Sequence, residues 1–435
     1  MKTWKVPLIT LAAVSIILLF GFTFRSLEKP TKKYVPFVPK GCVFRTVFGE
    51  ESSDSSFRFK TPQRVEASLS RGLDWIVRTQ NQYGGWGAGR HARQEVMDPL
   101  AVPADPATTS MVAMALLRSG NTLTKGEYSQ SLRKALDYLL KAVETSPANS
   151  NTITTETGTQ IQIKLGQNID VILTTQFLTN ITDYVTHDAA LKGRVKKALD
   201  QCVQKIQHNQ ESDGSIGGAG WAGVLQSALA NNALESAQAK GAAVDDTVLE
   251  RSRNYQKGNY DAKTGESKTD MGAGVVLYSV TGSARASAKE ARKVKEEMEK
   301  AKKDGRLAPS APASAENLQR LGFARDEAMK YSTAYEVYES AKVQAQRNDV
   351  MDGFGSNGGE EFLSYLQTGE SMIINKDSTW QNWYDNISGR LVHIQNNDGS
   401  WNGHHCITSP VFCTATCLLI LSVNEDVDNL TELGK

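Results

Sequence analysis

The sequence predicts an all-α protein, an α/α toroid of about six helical hairpins in two concentric layers behind an N-terminal transmembrane helix. Three observations predict this fold. Apolar residues recur with helical spacing from about residue 63 onward, no stretch shows the alternation of a β-strand, and amphipathic helices alternate with helices that are apolar on nearly every side. A helix that is apolar all round must be surrounded by protein, so the second helix of each hairpin is predicted to lie inside.

The first predicted element is a membrane anchor, residues 1–24. Residues 6–24 contain no charged side chain and are close to the length that a helix needs to cross a bilayer. No small-x-small cleavage motif follows directly, so the segment is predicted to be kept as a signal-anchor. The layout is typical of an exported protein and predicts a membrane-anchored body on the extracytoplasmic side, although the positive charges after residue 24 favour the opposite orientation.

Residues 25–62 are short polar pieces with prolines and predict a tether. The toroid is predicted over residues 63–424, and residues 425–435 form a tail. Within the toroid, residues 284–318 are a charged helix followed by an Ala/Pro/Ser connector, which predicts a solvated helical insertion. The formal net charge is only +1 and no long basic block carries aromatic residues, which argues against nucleic acid as a partner.

Three amphipathic helices end in the same kind of turn. The turns lie in "RTQNQYGGWGAG", "KIQHNQESDGSIGGAGW" and "HIQNNDGSWNG", and each is followed by a helix of small and apolar residues such as "PVFCTATCLLILS". Such self-similarity predicts a repeat architecture. Glycine permits the left-handed geometry that ends a helix, and Trp86 and Trp401 are predicted to fill the seam between hairpins while donating their indole N–H groups.

These turns resemble the repeats of the squalene-hopene cyclase and protein prenyltransferase superfamily of α/α toroids. The residues that carry the resemblance are Gln395, Asp398, Gly399, Ser400 and Trp401 in one turn and Gln82, Gly84, Gly85 and Trp86 in another. The resemblance runs loosely from about residue 63 to residue 424 and implies the toroid fold. It implies no single activity, because related toroids cyclise triterpenes, prenylate proteins, carry thioesters or cleave glycans.

The catalytic groups of the best-known relatives are missing. Bacterial-type cyclases use an Asp-x-Asp-Asp proton donor, and this motif does not occur; Phe412 stands where the epoxide-using cyclases have their acid. Prenyltransferases bind zinc through an Asp, a nearby Cys and a later His, and only Asp200 and Cys202 match, on a helix of the outer type. The sequence therefore argues against both known chemistries.

The polar residues that precede the inner helices are predicted to gather at one rim, because inner-helix starts surround one mouth of a toroid. The predicted ligand-binding rim is His91, Asp98, Asp105, Asp213, Glu360, His404, His405 and Cys406, and the catalytic candidates are Glu360, Glu361, His404 and Asp98. Glu360 and Glu361 also suit a helix N-terminus, which favours carboxylates. Neighbours diverge by about 100° on a helix, so these two cannot by themselves be the acid and base of one glycosidic site.

The loop at residues 404–417 contains soft metal ligands. His404, Cys406 and Cys413 are candidates for a metal site that could hold zinc or iron. Two alternatives stay open: a disulfide between Cys406 and Cys413 in an exported protein, or cysteines that only fill space.

Three functions follow from these observations. The first is a membrane-tethered protein that binds a ligand or partner in its central cavity, and the missing cyclase acid favours it. The second is an enzyme that acts on an isoprenoid-like lipid, favoured by the resemblance and by membrane contact through residues 6–24. The third is a metal-dependent or acid–base enzyme that acts on a glycan or peptide polymer, favoured by the polar rim and the His-His-Cys loop.

Overall fold

The structure is a computed structural model that describes residues 60–434, in which every regular element is a helix. Isolated β-bridges, such as the one between Arg90 and Thr159, are the only strand-like pairings in this part of the chain. The α-helices are α1 (Gln63–Arg78), α2 (Pro106–Arg118), α3 (Ser129–Thr145), α4 (Gln160–Lys164), α5 (Ile169–Ile181), α6 (Ala189–His208), α7 (Gly223–Ala239), α8 (Asp246–Lys257), α9 (Val276–Lys303), α10 (Ala315–Arg320), α11 (Arg325–Gln344), α12 (Asn348–Met351), α13 (Gly359–Ile374), α14 (Trp380–His393), α15 (Pro410–Leu421) and α16 (Val427–Leu433). Short 3-10 helices lie at His91–Arg93, Thr182–Tyr184, Asp270–Gly272 and Val423–Asp426.

The inner layer is a closed ring of the helices α2, α5, α7, α9, α13 and α15. Each packs on the next, and α15 packs on α2. An outer helix precedes each of them along the chain, in the order α1, α3, α6, α8, α11 and α14. A closed ring of inner helices with an outer layer is an α/α toroid, so the predicted all-α toroid is confirmed.

The two layers differ in the way predicted from their sequences. Every residue of α15 is buried, because ring neighbours, outer helices and the opposite side of the ring surround it. In contrast, α1 buries only one stripe, which includes Val65, Leu69, Leu73 and Ile76. The second helix of each hairpin is thus the inner one.

Glycines in the turns let neighbouring outer helices approach closely. Gly84, Gly214 and Gly399 have φ angles of +93°, +95° and +98°, a region that other residues rarely adopt. A Cβ atom on Gly399 would lie 2.6 Å from the carbonyl oxygen of Arg71 in α1. The last turn therefore closes the ring directly on the first helix.

The turn tryptophans fill the seam between hairpins, as predicted. Both indole rings are buried, and Nε1 of Trp86 donates a hydrogen bond to the carbonyl oxygen of Ile76 at 2.8 Å. Nε1 of Trp401 donates to the carbonyl oxygen of Leu391, also at 2.8 Å. These two residues are structural.

The charged segment 284–318 is not a separate insertion over its first part. Helix α9 begins as a ring helix at Val276 and continues to Lys303, so the charged run is its second half. Alanines and serines lie on its buried side and allow α11 to pack along it, while most of the lysines and glutamates face outward. Glu290 is an exception: it is buried and paired with Lys257 at 2.9 Å. Buried Arg285 is paired with Glu235 at 2.7 Å. The sequence did not predict that the ring helix continues into the charged run, because the charged residues, most of which lie on the outward face, dominate the composition of this segment.

The predicted anchor and most of the predicted tether lie outside the described residues. Within residues 60–434, no single helix is long and apolar enough to cross a membrane; only the bent pair Pro410–Leu421 and Val423–Leu433, with an angle of 59°, has the length and composition to do so. The predicted tail begins in a 3-10 turn and continues as α16, which packs on α13.

Candidate functional site: the mouth of the toroid

The inner helices begin at one end of the ring, and hydrogen bonds connect their starts. The backbone N–H of Ala107 in α2 donates to Asp170 of α5 at 3.1 Å, and the Tyr278 hydroxyl of α9 donates to Glu361 of α13 at 2.7 Å. The N–H of Gly359 donates to a carbonyl oxygen in the loop before α15 at 3.0 Å. This end of the ring, called the mouth below, brings together side chains from distant parts of the chain.

Glu361 fixes the start of α13. One carboxylate oxygen accepts from Tyr278, and the other accepts from the N–H of Gly358 at 2.8 Å and lies 3.6 Å from Nε2 of His405. Burial, with the charges of Glu361 and Glu360, raises the pKa of Tyr278 far above its usual value, so its hydroxyl stays protonated and donates. The partners of Glu361 account for both of its oxygens, which makes it structural.

Glu360 is a deeply buried acid at the mouth with few bonds to its carboxylate. Its side chain is only 2% exposed, and Oε2 accepts one hydrogen bond, from the N–H of Ile407 at 3.3 Å. Burial, and then the charge of Glu361, raise the pKa of Glu360 to about 8, against a smaller opposing effect of Lys164. Glu360 therefore holds a proton at neutral pH and has the protonation state of a general acid.

Lys164, at the end of α4, lies between the mouth and an exposed tryptophan. Its ammonium is 3.4 Å from the ring centroid of Trp221, a cation–π contact, and it hydrogen-bonds the thiol of Cys406. Burial and the charge of Glu360 raise the pKa of Cys406 to about 11, so the thiol is protonated at neutral pH and is a poor nucleophile. Cys406 also has a φ of +57°, an uncommon backbone conformation outside glycine.

The Trp221 ring is fixed although it is 61% exposed. Lys164 covers one face, and the His91 ring contacts it edge-on with 5.9 Å between centroids. Nδ1 of His91 accepts from the Gln94 amide at 2.8 Å, and the same amide donates to the carbonyl oxygen of Cys406. Burial, with a contribution from Lys164, lowers the pKa of His91, which favours the neutral imidazole. The open face of the indole, called the Trp221 platform below, is therefore fixed in position and exposed.

A groove with a cavity volume of about 420 Å³ opens beside the platform. Its walls combine hydroxyl, amide and backbone groups and a single carboxylate with the apolar side chains of Ile163, Ala219 and Trp221. The lining residues are Thr152, Thr154, Glu156, Thr157, Gly158, Gln162, Ile163, Gln167, Gly218, Ala219, Gly220 and Trp221. This groove is called the mouth groove below.

Comparison with known proteins gives a structural similarity at low identity. No protein-family model and no curated protein matches the chain. Among solved structures, the fold is similar to that of the type II terpene cyclase MstE from Scytonema, determined in complex with its substrate geranylgeranyl dihydroxybenzoate. The identity is 11%, the match covers 84% of this chain and 98% of the cyclase, and the TM-score is 0.42. Nothing about activity transfers at this level of similarity.

Four of the predicted rim residues lie close to the platform or to the acids beside it. His91 contacts the Trp221 ring. Both Glu360 and Cys406 are near enough to Lys164 to be affected by its charge. His405 lies beside Glu361. Nε2 of His405 hydrogen-bonds the carbonyl oxygen of Ser356 at 2.6 Å.

Within residues 60–434, no hydrogen bond or ion pair joins the other predicted rim residues to the Trp221 platform or to Glu360 and Glu361. Asp105 is buried as the N-cap of α2 and accepts from the N–H of Thr108 at 2.7 Å; burial raises its pKa. Asp98 and His404 are exposed on loops. Asp213 lies in the turn between α6 and α7, where it accepts from Ser215, and the adjacent glycine packs against outer helix α8.

Within residues 60–434 the cysteines are free thiols, including Cys406 and Cys413. Cys413 is buried in α15, and its sulfur donates to the carbonyl oxygen of Ile407 at 3.5 Å. In residues 60–434, no group of three or more His, Cys, Asp or Glu side chains has the arrangement of a metal site. The zinc or iron site at His404, Cys406 and Cys413 stays a prediction.

Sequence reasoning missed Lys164, Trp221 and Tyr278. Lys164 and Tyr278 carry no local signal, because only the ring closure brings them to the mouth. Trp221 had one: in "DGSIGGAGW", Ile216 takes the buried position that tryptophan holds in the other two turns, so the tryptophan after the glycines is left over. An aromatic residue that the repeat does not need is a useful pointer to a binding surface.

Proposed function

We propose that the protein is a membrane-tethered binding toroid that holds a hydroxyl-rich ligand, in particular a glycan chain, in the mouth groove. The Trp221 platform is the observation that carries the proposal. A large aromatic ring that is both exposed and fixed from behind loses little entropy when a ligand stacks on it. The hydroxyl and amide walls of the groove match the hydrogen-bonding groups of a sugar.

The position of the site differs from the central cavity expected from the sequence. Polar side chains on the ring helices, such as Gln226, Asn231 and Gln367, are buried among their neighbours. The mouth groove is instead open at its side, which suits a polymer that extends beyond it. Anchoring through residues 6–24 on the extracytoplasmic side belongs to the same proposal, since glycans are plentiful there.

Calorimetric titration of the full-length protein in detergent tests the proposal. Cellohexaose, chitohexaose, maltohexaose and hexagalacturonate form the panel. We expect at least one to bind and Trp221→Ala to weaken its binding at least tenfold. The matched control is Tyr83→Ala, because Tyr83 is another turn aromatic, 75% exposed and outside the mouth groove. Binding to none of the panel, or equal binding by Trp221→Ala and wild type, would overturn the proposal.

The protonated Glu360 favours a second candidate, an acid–base enzyme that cleaves such a polymer. A carboxylic acid that keeps its proton at neutral pH is what protonation of a leaving group needs. Cleavage of a bound oligosaccharide by wild type, with loss of turnover but unchanged binding in Glu360→Gln, would establish it. Binding without cleavage by wild type leaves the protein as a binding toroid.

A further inference from the structure

Lys164 differs from the other buried basic side chains in residues 60–434. Lys257, Arg285 and Arg292 each donate to a carboxylate, and Lys205 donates to two carbonyl oxygens. The Lys164 side chain is as deeply buried, at 2% exposed. Its ammonium has no oxygen acceptor among the described residues and contacts only an indole ring and a thiol.

A buried ammonium with such partners keeps most of its positive charge unbalanced. An ammonium has three N–H donors. A cation–π contact with the indole ring and a weak hydrogen bond to the thiol replace only part of the hydration that it loses on burial. Removing a charge from water without an opposite charge is costly, so buried charges are normally paired. The position of Lys164 therefore needs a reason beyond stability.

The nearest acidic groups do not supply the missing negative charge at neutral pH. Burial raises the pKa of Glu360 to about 8 and that of Cys406 to about 11, so both are mainly protonated and neutral. His91 is neutral as well, since its pKa is lowered. On the groove wall, the Glu156 carboxylate lies 3.8 Å from the exposed guanidinium of Arg90, and its Oε2 accepts no hydrogen bond from residues 60–434, so Arg90 offsets only part of its charge.

The uncompensated charge lies directly behind the Trp221 platform. The Trp221 backbone N–H donates to the carbonyl oxygen of Ile163, which ties the platform to the residue before Lys164. Its indole N–H has no acceptor within the part of the chain that the structure describes, so it is a second donor free at the groove. A ligand that stacks on the ring would meet both the positive potential and this N–H group.

We infer that the ligand is acidic, a glycan of the uronic acid class, whose carboxylate is attracted by Lys164 and accepts from the indole N–H of Trp221. This inference rests on the proposed function and adds to it the charge of the ligand. Because Lys164 is buried behind the ring, salt screens its attraction for such a carboxylate less than it would screen an exposed charge.

Calorimetric titration with matched ligands tests the inference. Full-length protein in detergent is titrated with hexamers of galacturonate, mannuronate and hyaluronate, each beside its methyl ester, which keeps the shape and removes the charge. We expect wild type to bind at least one acid about tenfold or more tightly than its ester. Lys164→Met keeps the apolar length of the side chain and should abolish this preference, while Lys164→Arg should keep it.

The outcomes separate the inference from the proposed function. Equal binding of acid and ester by wild type, or a preference that persists in Lys164→Met, overturns the inference but leaves glycan binding intact. Binding of none of the uronates, with binding of a neutral hexamer that depends on Trp221, also overturns only the inference. Binding of no saccharide at all overturns both. Should Lys164→Met fail to fold, Lys164→Arg and the acid-to-ester ratio of wild type still decide.

Discussion

Two turns of the ring, at residues 210–221 and 395–401, begin with the same contacts. The Gln210 amide donates to a carbonyl oxygen of α8 at 2.9 Å, and the Gln395 amide donates to a carbonyl oxygen of α1 at 3.0 Å. Gly214 and Gly399 then adopt nearly equal positive φ angles against the backbones of those same outer helices. Up to this point, both turns serve only to join one hairpin to the next.

The two turns end differently. In the later turn, the indole of Trp401 is buried and bonded to Leu391, so its ring is part of the core. In the earlier turn, Ile216 fills the buried position, and Trp221 is exposed over Lys164. Because Ile216 takes the structural position in the earlier turn, the Trp221 ring is not needed for packing and is left at the surface.

The largest expected effect is on the structural side of this comparison. Trp401→Ala removes a buried ring and the hydrogen bond to Leu391, and we expect it to lower the free energy of unfolding by about 4 kcal/mol. Chemical denaturation monitored by circular dichroism measures the change. Trp401→Phe should lose less, because most of the ring volume remains. A loss below about 1 kcal/mol for Trp401→Ala would show that the turn tryptophan is not part of the core.

A pH-dependent effect is expected at the mouth. The folded-state pKa of Glu360 is about 8, above the usual 4.5 of a glutamate, so its contribution to stability is fully present below pH 4.5 and is lost as the pH rises toward 8. Glu360→Gln cannot ionise and should remove this component of the pH dependence. Between pH 5 and pH 8, the stability of wild type should fall relative to the variant by roughly 3 kcal/mol.

Denaturation curves at pH 5, 6.5 and 8 for both proteins check this prediction. Glu211→Gln is the control, because Glu211 is an exposed carboxylate in the turn at residues 210–221, away from Glu360. Parallel pH profiles for wild type and Glu360→Gln would mean that Glu360 ionises normally and is not the acid of the mouth.

The glycines of the turns give a smaller effect. Gly399→Ala adds a Cβ atom in the left-handed region and against the carbonyl oxygen of Arg71, so we expect a loss of about 2 to 3 kcal/mol. Gly274→Ala is the matched control, because Gly274 has a φ of +83° but no atom within 4 Å of the added Cβ. It should lose about 1 kcal/mol from backbone strain alone. Thermal denaturation of both variants measures the difference, and equal losses would show that the ring closure at Arg71 is not tight.

The fold could be predicted from the sequence, and the site only in part, for physical reasons. Helical periodicity and the paired turn residues are local, so they indicate helices, layers and the buried role of Trp401. Which polar groups meet at the mouth depends on ring closure, which no local pattern contains. Lys164 and Tyr278 reach the mouth from distant segments, and Asp213 lies in the same kind of turn without approaching it. The sequence did not predict that the charged segment continues a ring helix, because the many charged residues of α9 obscure the pattern of its buried side.

The smallest expected effect on stability is at Trp221, and it is the sharpest test of the comparison. Trp221→Ala removes an exposed ring that fills no seam, so the free energy of unfolding should change by no more than about 0.5 kcal/mol. Losing the cation–π contact with Lys164 costs little, because the ammonium then becomes accessible to water. Denaturation of Trp221→Ala beside Trp401→Ala measures both changes in one experiment. If Trp221→Ala lost nearly as much free energy of unfolding as Trp401→Ala, the Trp221 ring would be structural too. Its position would then be explained by packing on Lys164 alone.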